Sequence, residues 1–135
     1  MPASLPIRAY FVTEMVTKSQ TDTFSLVVEA LTIVASAPDG IISSDHIGQQ
    51  LGLNPVVVRR LLAPLRAAGL LETRRGASGG WSIARDPTSL PLGDIYRALR
   101  SSEAPVGGRL APVIGRAQQA FIAELDRSNL GDLAR

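Results

Sequence analysis

Residues 74–81 read RRGASGGW, which places two arginines, three glycines and the only tryptophan of the chain within eight positions. Guanidinium groups bind phosphate and the edges of bases through paired hydrogen bonds. Glycines let the backbone turn tightly and approach another molecule closely. The stretch therefore combines two properties that suit contact with a nucleic acid. It lacks the GxxxxGK[ST] pattern of nucleotide-binding loops, so it does not indicate a nucleotide cradle.

The positive charge of the chain is concentrated in one region. The formal net charge is only +2. Between residues 59 and 100, however, the sequence contains eight arginines and only three acidic residues. The whole chain has thirteen arginines and a single lysine. A codon bias towards arginine explains this ratio equally well, but it explains the clustering less well. The distribution indicates a basic surface that arginine dominates.

Catalytic and metal chemistry find little support in the sequence. The absence of cysteine excludes disulfides, thiol catalysis, thiolate-bound zinc and cysteine-ligated clusters. The only histidine, His46, directly follows Ser44 and Asp45, and adjacent residues cannot converge as a triad. The carboxylates are scattered. We therefore predict no enzyme, no metal and no cofactor. No apolar run approaches the roughly 20 residues of a membrane span, so we expect a cytoplasmic protein without membrane contact.

The spacing of apolar residues predicts three helices in succession. The first begins with a cap among residues 21–23 and stops before the PDG turn at 38–40. The second lies in SSDHIGQQLG, with Ser43 or Ser44 as its cap. The third, NPVVVRRLLAPLRAAG, has Asn54 as its cap and Gly69 at its end. The short turn between the last two contains Gly52, as in a helix-turn-helix.

The third helix is predicted to have two distinct faces. Its core face is expected to contain Val57, Leu61, Leu65 and Ala68, with Val58 and Leu62 beside them. Its opposite face is expected to present Val56, Arg59, Arg60, Ala63 and Arg66. Small apolar groups and guanidinium forks on an exposed helix are what a major-groove reader requires. Pro64 removes one helical hydrogen bond and is expected to bend the helix.

A hairpin is predicted directly behind this helix. LLETRR and WSIAR have strand character, and the five residues GASGG join them. A hairpin in this position is a wing. The alternation of the second strand favours packing of Trp81 against the helices. Residues 92–99 then form a further helix.

A separate apolar stripe lies near the end of the chain. After a linker at residues 101–110, a long helix is expected to begin near Pro112, and NLGDLAR follows it as a loose turn or short helix. A wing domain of about 80 residues can bury itself without this stripe, and most oligomers are symmetric. We therefore predict a homodimer interface that contains Val113, Ile114, Ala117, Phe121 and Leu125.

The order of these parts resembles the Rrf2 family of winged-helix transcription regulators, the group that includes IscR, NsrR and CymR. The resemblance is strongest in RRGASGGWSIARDPTSLPLGDIYRAL. The matching positions there are Arg75, Gly76, Gly79, Gly80, Trp81, Ala84 and Arg85. The resemblance implies a homodimeric repressor that binds an operator in double-stranded DNA. It further implies that the third helix enters the major groove, that Arg75 reaches the flanking minor groove, and that the C-terminal helix crosses its symmetry mate.

These arguments give a fold class and a set of predicted contacts. The fold is expected to be mainly α with a small β-hairpin wing, that is, a winged helix-turn-helix plus a long C-terminal dimerisation helix. Four parts are predicted: an N-terminal extension (1–20), the DNA-binding domain (21–100), the linker (101–110), and the dimerisation helix and tail (111–135). The residues predicted to contact DNA are Ser43, Ser44, Asn54, Val56, Arg59, Arg60, Arg74, Arg75, Gly76, Ser78, Gly79 and Gly80.

Two features depart from the family pattern. Members that sense redox state or nitric oxide carry three cysteines after the wing, whereas this chain has SSEAPVGGRLAP there. Cluster sensing is therefore excluded, and a small molecule or a partner protein is the expected effector, if there is one. The chain also begins ahead of the usual start, which would fall near Met15, so residues 1–14 are either a misassigned start or a genuine arm. The alternative function is a winged helix that binds protein and not DNA.

Overall fold

A computed structural model describes residues 20–101 and 107–134 of the chain. Its elements, in chain order, are α1 (Gln20–Ala35), α2 (Ser44–Leu51), α3 (Pro55–Ala67), β1 (Leu71–Arg74), β2 (Gly80–Ile83), a 3-10 turn (Pro87–Ser89), α4 (Leu92–Arg100), α5 (Ala111–Leu125) and α6 (Leu130–Leu133). The described part is mainly helical with one two-stranded antiparallel hairpin, as predicted. The predicted extension, except Gln20, and half of the predicted linker lie outside the described residues.

Local capping signals define the helix-turn-helix. The Ser43 hydroxyl accepts from the backbone N–H of His46 at 3.2 Å, which makes Ser43 the cap of α2. Gly52 ends that helix in the left-handed region, with φ of 70°. The Asn54 side-chain oxygen accepts from the Val56 N–H at 2.8 Å, and Pro55 opens α3. These predictions are confirmed. The predicted cap of α1 at residues 21–23 is wrong, because the helix already includes them.

One hydrophobic core joins all the helices except α5, which adds only partly buried residues to its edge. The buried apolar side chains are Phe24, Val27, Ala30, Leu31, Val34, Ile47, Val58, Leu62, Leu65, Leu70, Leu71, Trp81, Leu90, Leu92, Ile95, Tyr96, Ala98 and Leu130. Phe24 and Tyr96 meet edge to face, with ring centroids 5.5 Å apart. Burial of this apolar surface holds the helix-turn-helix against α1 and α4.

Helix α3 is rotated about its axis relative to the prediction, so a different set of its residues faces the core. Val58, Leu62 and Leu65 are buried, whereas Val57 is 38% exposed and Ala68 is exposed. The runs VVV and LLAPL place apolar residues on adjacent stripes, so periodicity alone cannot choose between them. Contact with α1, α2, β1 and α4 decides which stripe is buried. The helix continues through Pro64 to Ala67.

The hairpin turn is displaced by one residue from its predicted position. Arg74 pairs with Gly80 and Leu71 with Ile83, so the five-residue loop is 75–79 and Gly80 belongs to β2. Gly80 has φ of 151°, and a Cβ there would collide with the carbonyl oxygen of Ile42. Glycine is therefore required where the strand passes the segment that leads into α2.

Trp81 attaches the hairpin to the helix-turn-helix. Its backbone N–H donates to the Ile42 carbonyl at 2.7 Å, and its own carbonyl accepts from the Ile42 N–H at 3.0 Å. The side chain is 6% exposed, and its indole N–H donates to the Ser44 hydroxyl oxygen at 2.8 Å. The predicted inward packing of Trp81 is confirmed.

The C-terminal tail packs into the core. Asn129 and Asp132 form a capping box at the start of α6, and Leu130 is 0% exposed. The Leu130 N–H donates to the Leu90 carbonyl at 2.9 Å. Leu130–Leu133 thus form the short helix that the sequence allowed in this stretch.

We predict that Leu130→Ala lowers the free energy of unfolding by about 2–5 kcal/mol, because it leaves a cavity in the core. Leu133→Ala is the matched control, since Leu133 lies on the same short helix and is 49% exposed. Urea denaturation at several protein concentrations measures both variants and separates core stability from association. Equal, small losses for the two variants would show that the tail does not contribute to the core.

Candidate nucleic-acid interface

Helix α3 presents an exposed face that is apolar at its start and basic beyond it. As predicted, Val56, Arg59, Arg60, Ala63 and Arg66 are all exposed. Val56 is 50% exposed although it is a large apolar residue at the start of the helix. Asn54 caps this same end and is exposed as well. The face has the shape and composition that base-edge contacts require.

The wing tip carries the second basic group. Arg75, Gly76 and Ser78 lie exposed in the loop. Gly79 donates its N–H to the Gly76 carbonyl at 3.0 Å, and a Cβ at Gly79 would collide with the carbonyl of Arg74. The tight turn therefore depends on glycine at position 79. This turn leaves the side chain of Arg75 at the wing tip.

A cleft of about 310 Å³ separates α3 from the wing. Its lining residues are Ser44, Arg59, Ala63, Arg66, Thr73, Arg74, Gly80 and Trp81. Four residues that were predicted to contact DNA (Ser44, Arg59, Arg74 and Gly80) thus come together here. Arg66 and Thr73 were not among the predicted contacts. The signal for Arg66 was its position seven residues after Arg59, which places both on one side of a helix.

Ser43 and Ser78 lie on a different side of the wing. They line a second cleft of about 420 Å³ together with Asp39, His46 and Gly79. The Ser43 hydroxyl, which caps α2, also lies 2.9 Å from Nδ1 of His46. This cleft contains a carboxylate and no arginine, so its charge differs from that of the cleft between α3 and the wing.

Arginines further along the chain have a structural role. Arg97 donates to Asp94 and to Asp126, both at 2.8 Å, and Arg85 lies 3.5 Å from Asp94. The hydrogen bond to Asp126 and the neighbouring carboxylates raise the pKa of Arg97 above its ordinary value. Gly93 makes room for this cluster, because a Cβ there would collide with the Asp126 carboxylate. Arg97 connects α4 to the end of α5, and Arg85 pairs with α4. Both differ from the arginines of α3 and the wing, which have no carboxylate partner among the described residues.

Helix α5 leaves an apolar stripe uncovered. No residue of the helix is fully buried, although Ile122 and Leu125 pack against the core. Val113 is 48% and Phe121 37% exposed, and Ala117 between them is exposed. Of the five predicted interface residues, Val113 and Ala117 face outward, Phe121 is partly exposed but contacts Tyr96, Ile114 is half-buried and Leu125 contacts the domain itself.

Among the described residues, no group of three His, Cys, Asp or Glu side chains could hold a metal ion. None of the helices there is long and apolar enough to cross a bilayer.

The chain is similar to several transcription regulators. It is 31% identical over 107 residues to the protein rrf2 of Nitratidesulfovibrio vulgaris, with 70% of this chain and 71% of that protein covered. It is 37% identical over 68 residues to the HTH-type transcriptional regulator CymR of Bacillus subtilis, a match that spans about half of each chain, with 50% and 49% covered.

Solved structures show the same architecture. IscR of T. potens superposes with a TM-score of 0.65 at 30% identity, and 82% of each chain is covered. CymR of B. subtilis, the global cysteine regulator, gives 0.64 at 28% identity, with 87% of this chain and 94% of that chain covered. The winged-helix fold class is therefore confirmed.

The family model that matches residues 20–135 describes an iron-dependent transcriptional regulator, the Rrf2 family. Iron–sulfur clusters are held chiefly by cysteine thiolates, and the chain has no cysteine and a single histidine. Its residues therefore do not fit an iron–sulfur cluster, and no group of three His, Asp or Glu side chains within the described residues could hold a single iron ion. The fold, the motifs and the length of the match nevertheless agree, and the chain belongs to the Rrf2 family of DNA-binding transcriptional regulators.

Proposed function

We propose that this protein is a homodimeric repressor that recognises a specific operator in double-stranded DNA in the cytoplasm and acts by binding, not by catalysis. The observation that carries the proposal is the set of arginines on α3 and the wing that lack carboxylate partners within the described residues. Unpaired guanidinium groups on one surface favour a polyanionic partner.

In this proposal α3 enters the major groove. Arg59 and Arg60 can each make a paired hydrogen bond to guanine, and Val56 provides an apolar contact for a thymine methyl group. Arg75 at the wing tip reaches the flanking minor groove, with the backbone of Gly76, Ser78 and Gly79 close to the sugar–phosphate chain. Ser43, Ser44 and Asn54 are near helix N-termini, where backbone N–H groups favour phosphate.

The dimer is proposed to form through α5. Val113, Ala117 and Phe121 follow one another at four-residue spacing and stay exposed, whereas Ile122 and Leu125 of the same helix pack against the core. Apolar residues that stay exposed along a long helix favour a second surface that covers them. In a symmetric dimer, the stripe of one copy packs against the same stripe of the other copy. The dimer also sets the distance between the two recognition helices.

The signal is proposed to be something other than a cluster-bound iron. The chain lacks the thiolates that such a cluster requires. We propose a small molecule or a partner protein as effector.

We predict that Arg60→Ala weakens operator binding by about 1–3 kcal/mol and relaxes specificity at one base pair, because it removes a base contact. Arg74→Ala should instead weaken binding to all duplexes similarly and lower the salt slope by about 1. Fluorescence anisotropy on a selected operator and on an unrelated duplex, at several salt concentrations, separates the two effects.

Arg127→Ala is the control for these variants, because Arg127 is exposed and lies after α5. A combined Arg59→Ala, Arg60→Ala and Arg75→Ala variant that keeps wild-type operator affinity would refute the assignment of the interface. Absence of salt-sensitive binding by the wild type would favour the protein-binding alternative.

We also predict that Val113→Glu converts the dimer to a monomer, since a buried unpaired carboxylate opposes association. Sedimentation equilibrium measures the change, and binding to a two-half-site operator should fall with it. Gln119→Glu places the same charge on the far side of α5 and should leave the dimer intact. If the two variants dimerise to the same extent, the dimer interface lies elsewhere.

A further inference from the structure

The cleft between α3 and the wing is lined by three guanidinium groups. Arg59 and Arg66 come from one side of α3, and Arg74 comes from the last position of β1. No acidic residue is among the lining residues. Three like charges around one cavity repel each other, and an anion in the cleft would remove that repulsion.

The polar groups of the cleft are donors suited to phosphate. The Ser44 hydroxyl oxygen accepts from the Trp81 indole N–H at 2.8 Å, which holds the hydroxyl at the cleft wall and leaves its own hydrogen to donate. Thr73 adds a second hydroxyl. Guanidinium and hydroxyl donors around one point are the usual environment of a phosphate oxygen.

The size and the apolar part of the cleft indicate more than a bare ion. Ala63 and Trp81 add apolar lining, and the volume is about 310 Å³. A water molecule takes about 30 Å³ of liquid, so the cleft has room for a group of several heavy atoms. A phosphate with an attached sugar matches both the charge and the space.

We propose that this cleft binds one sugar–phosphate unit of the DNA backbone through Arg66, Thr73 and Arg74, with Arg59 left to its base contact, and that Arg66 and Thr73 are DNA-contacting residues in addition to those proposed above. The proposal rests on the proposed function. Such a contact carries no sequence information, but it fixes the rotation of α3 in its groove relative to the wing. The cleft on the other side of the wing does not qualify, because Asp39 lines it and no arginine does.

The first test compares Arg66→Ala with Arg127→Ala. If the cleft binds a backbone phosphate, Arg66→Ala lowers affinity about tenfold on the operator and on an unrelated duplex alike, and the salt slope falls by about 1. Arg127→Ala changes neither. Thr73→Val is a second variant that keeps the side-chain shape, and it should lower affinity on both duplexes without changing the salt slope. Loss on the operator alone, or no loss with either variant, overturns the cleft assignment.

The second test locates the phosphate. Single phosphates of the operator are replaced in turn by neutral methylphosphonates, and binding is measured for the wild type and for Arg66→Ala. At one position, the methylphosphonate should weaken operator binding by the wild type. The same replacement should not weaken binding by Arg66→Ala any further. Fully additive losses at every position overturn the proposal. Failure of the wild type to bind any duplex would instead contradict the proposed function itself.

A diffusible phosphate ester is the other source of the same chemistry. Ribose 5-phosphate is titrated into the DNA-free protein while the fluorescence of Trp81, the only tryptophan, is followed. A DNA site should show no saturable change below about 10 mM, because an isolated phosphate ester lacks the neighbouring backbone contacts. Saturation at lower concentration that Arg66→Ala abolishes would assign the cleft to a small ligand and overturn the DNA assignment.

Discussion

The attachment of Trp81 to the segment ahead of α2 determines the relation between wing and helix-turn-helix. Two backbone hydrogen bonds join Trp81 to Ile42, and the indole N–H bonds the Ser44 hydroxyl at the first residue of α2. A two-stranded hairpin alone is marginally stable in water. The bridge to Ile42 adds a partner on the other edge of β2, and burial of the large aromatic ring adds apolar contact. The wing can therefore hold Arg75 at a fixed distance from α3.

Two groups of arginines have opposite electrostatic surroundings. Arg85 and Arg97 neighbour Asp94 and Asp126, and this cluster bridges α4 and α5. The arginines of α3 and the wing have no such neighbours among the described residues. An exposed ion pair contributes little to stability, typically 0–1 kcal/mol, so the first group chiefly orients two helices. The second group leaves several positive charges on one exposed surface, which a polyanion would neutralise.

Sequence alone predicted the features that depend on a few neighbouring residues. Asn54, Pro55 and Gly52 act through their own backbone and the next turn, so their roles followed from residue type and spacing. The sequence did not reveal which face of α3 is buried, because the adjacent apolar stripes of this helix differ only in the elements that pack against them. The place of Leu130 depends on a contact with Leu90 that lies 40 positions earlier. The cleft required the separation between helix and wing, which no local pattern encodes, although helical spacing already placed Arg66 on the exposed face of α3.

Helix α5 is held against α4 by apolar packing and by charge. Ile122 and Leu125 pack against the core, and Phe121 contacts Tyr96 edge to face at 4.8 Å, so the helix is bound to α4 on one side. Arg97 and Asp126 fix the same contact, and Gly93 permits its closeness. A change in the packing of α5 therefore acts directly on α4, which packs against α3. Under the proposed function, these contacts from α5 through α4 to α3 would connect the proposed dimer surface with the proposed DNA-binding surface.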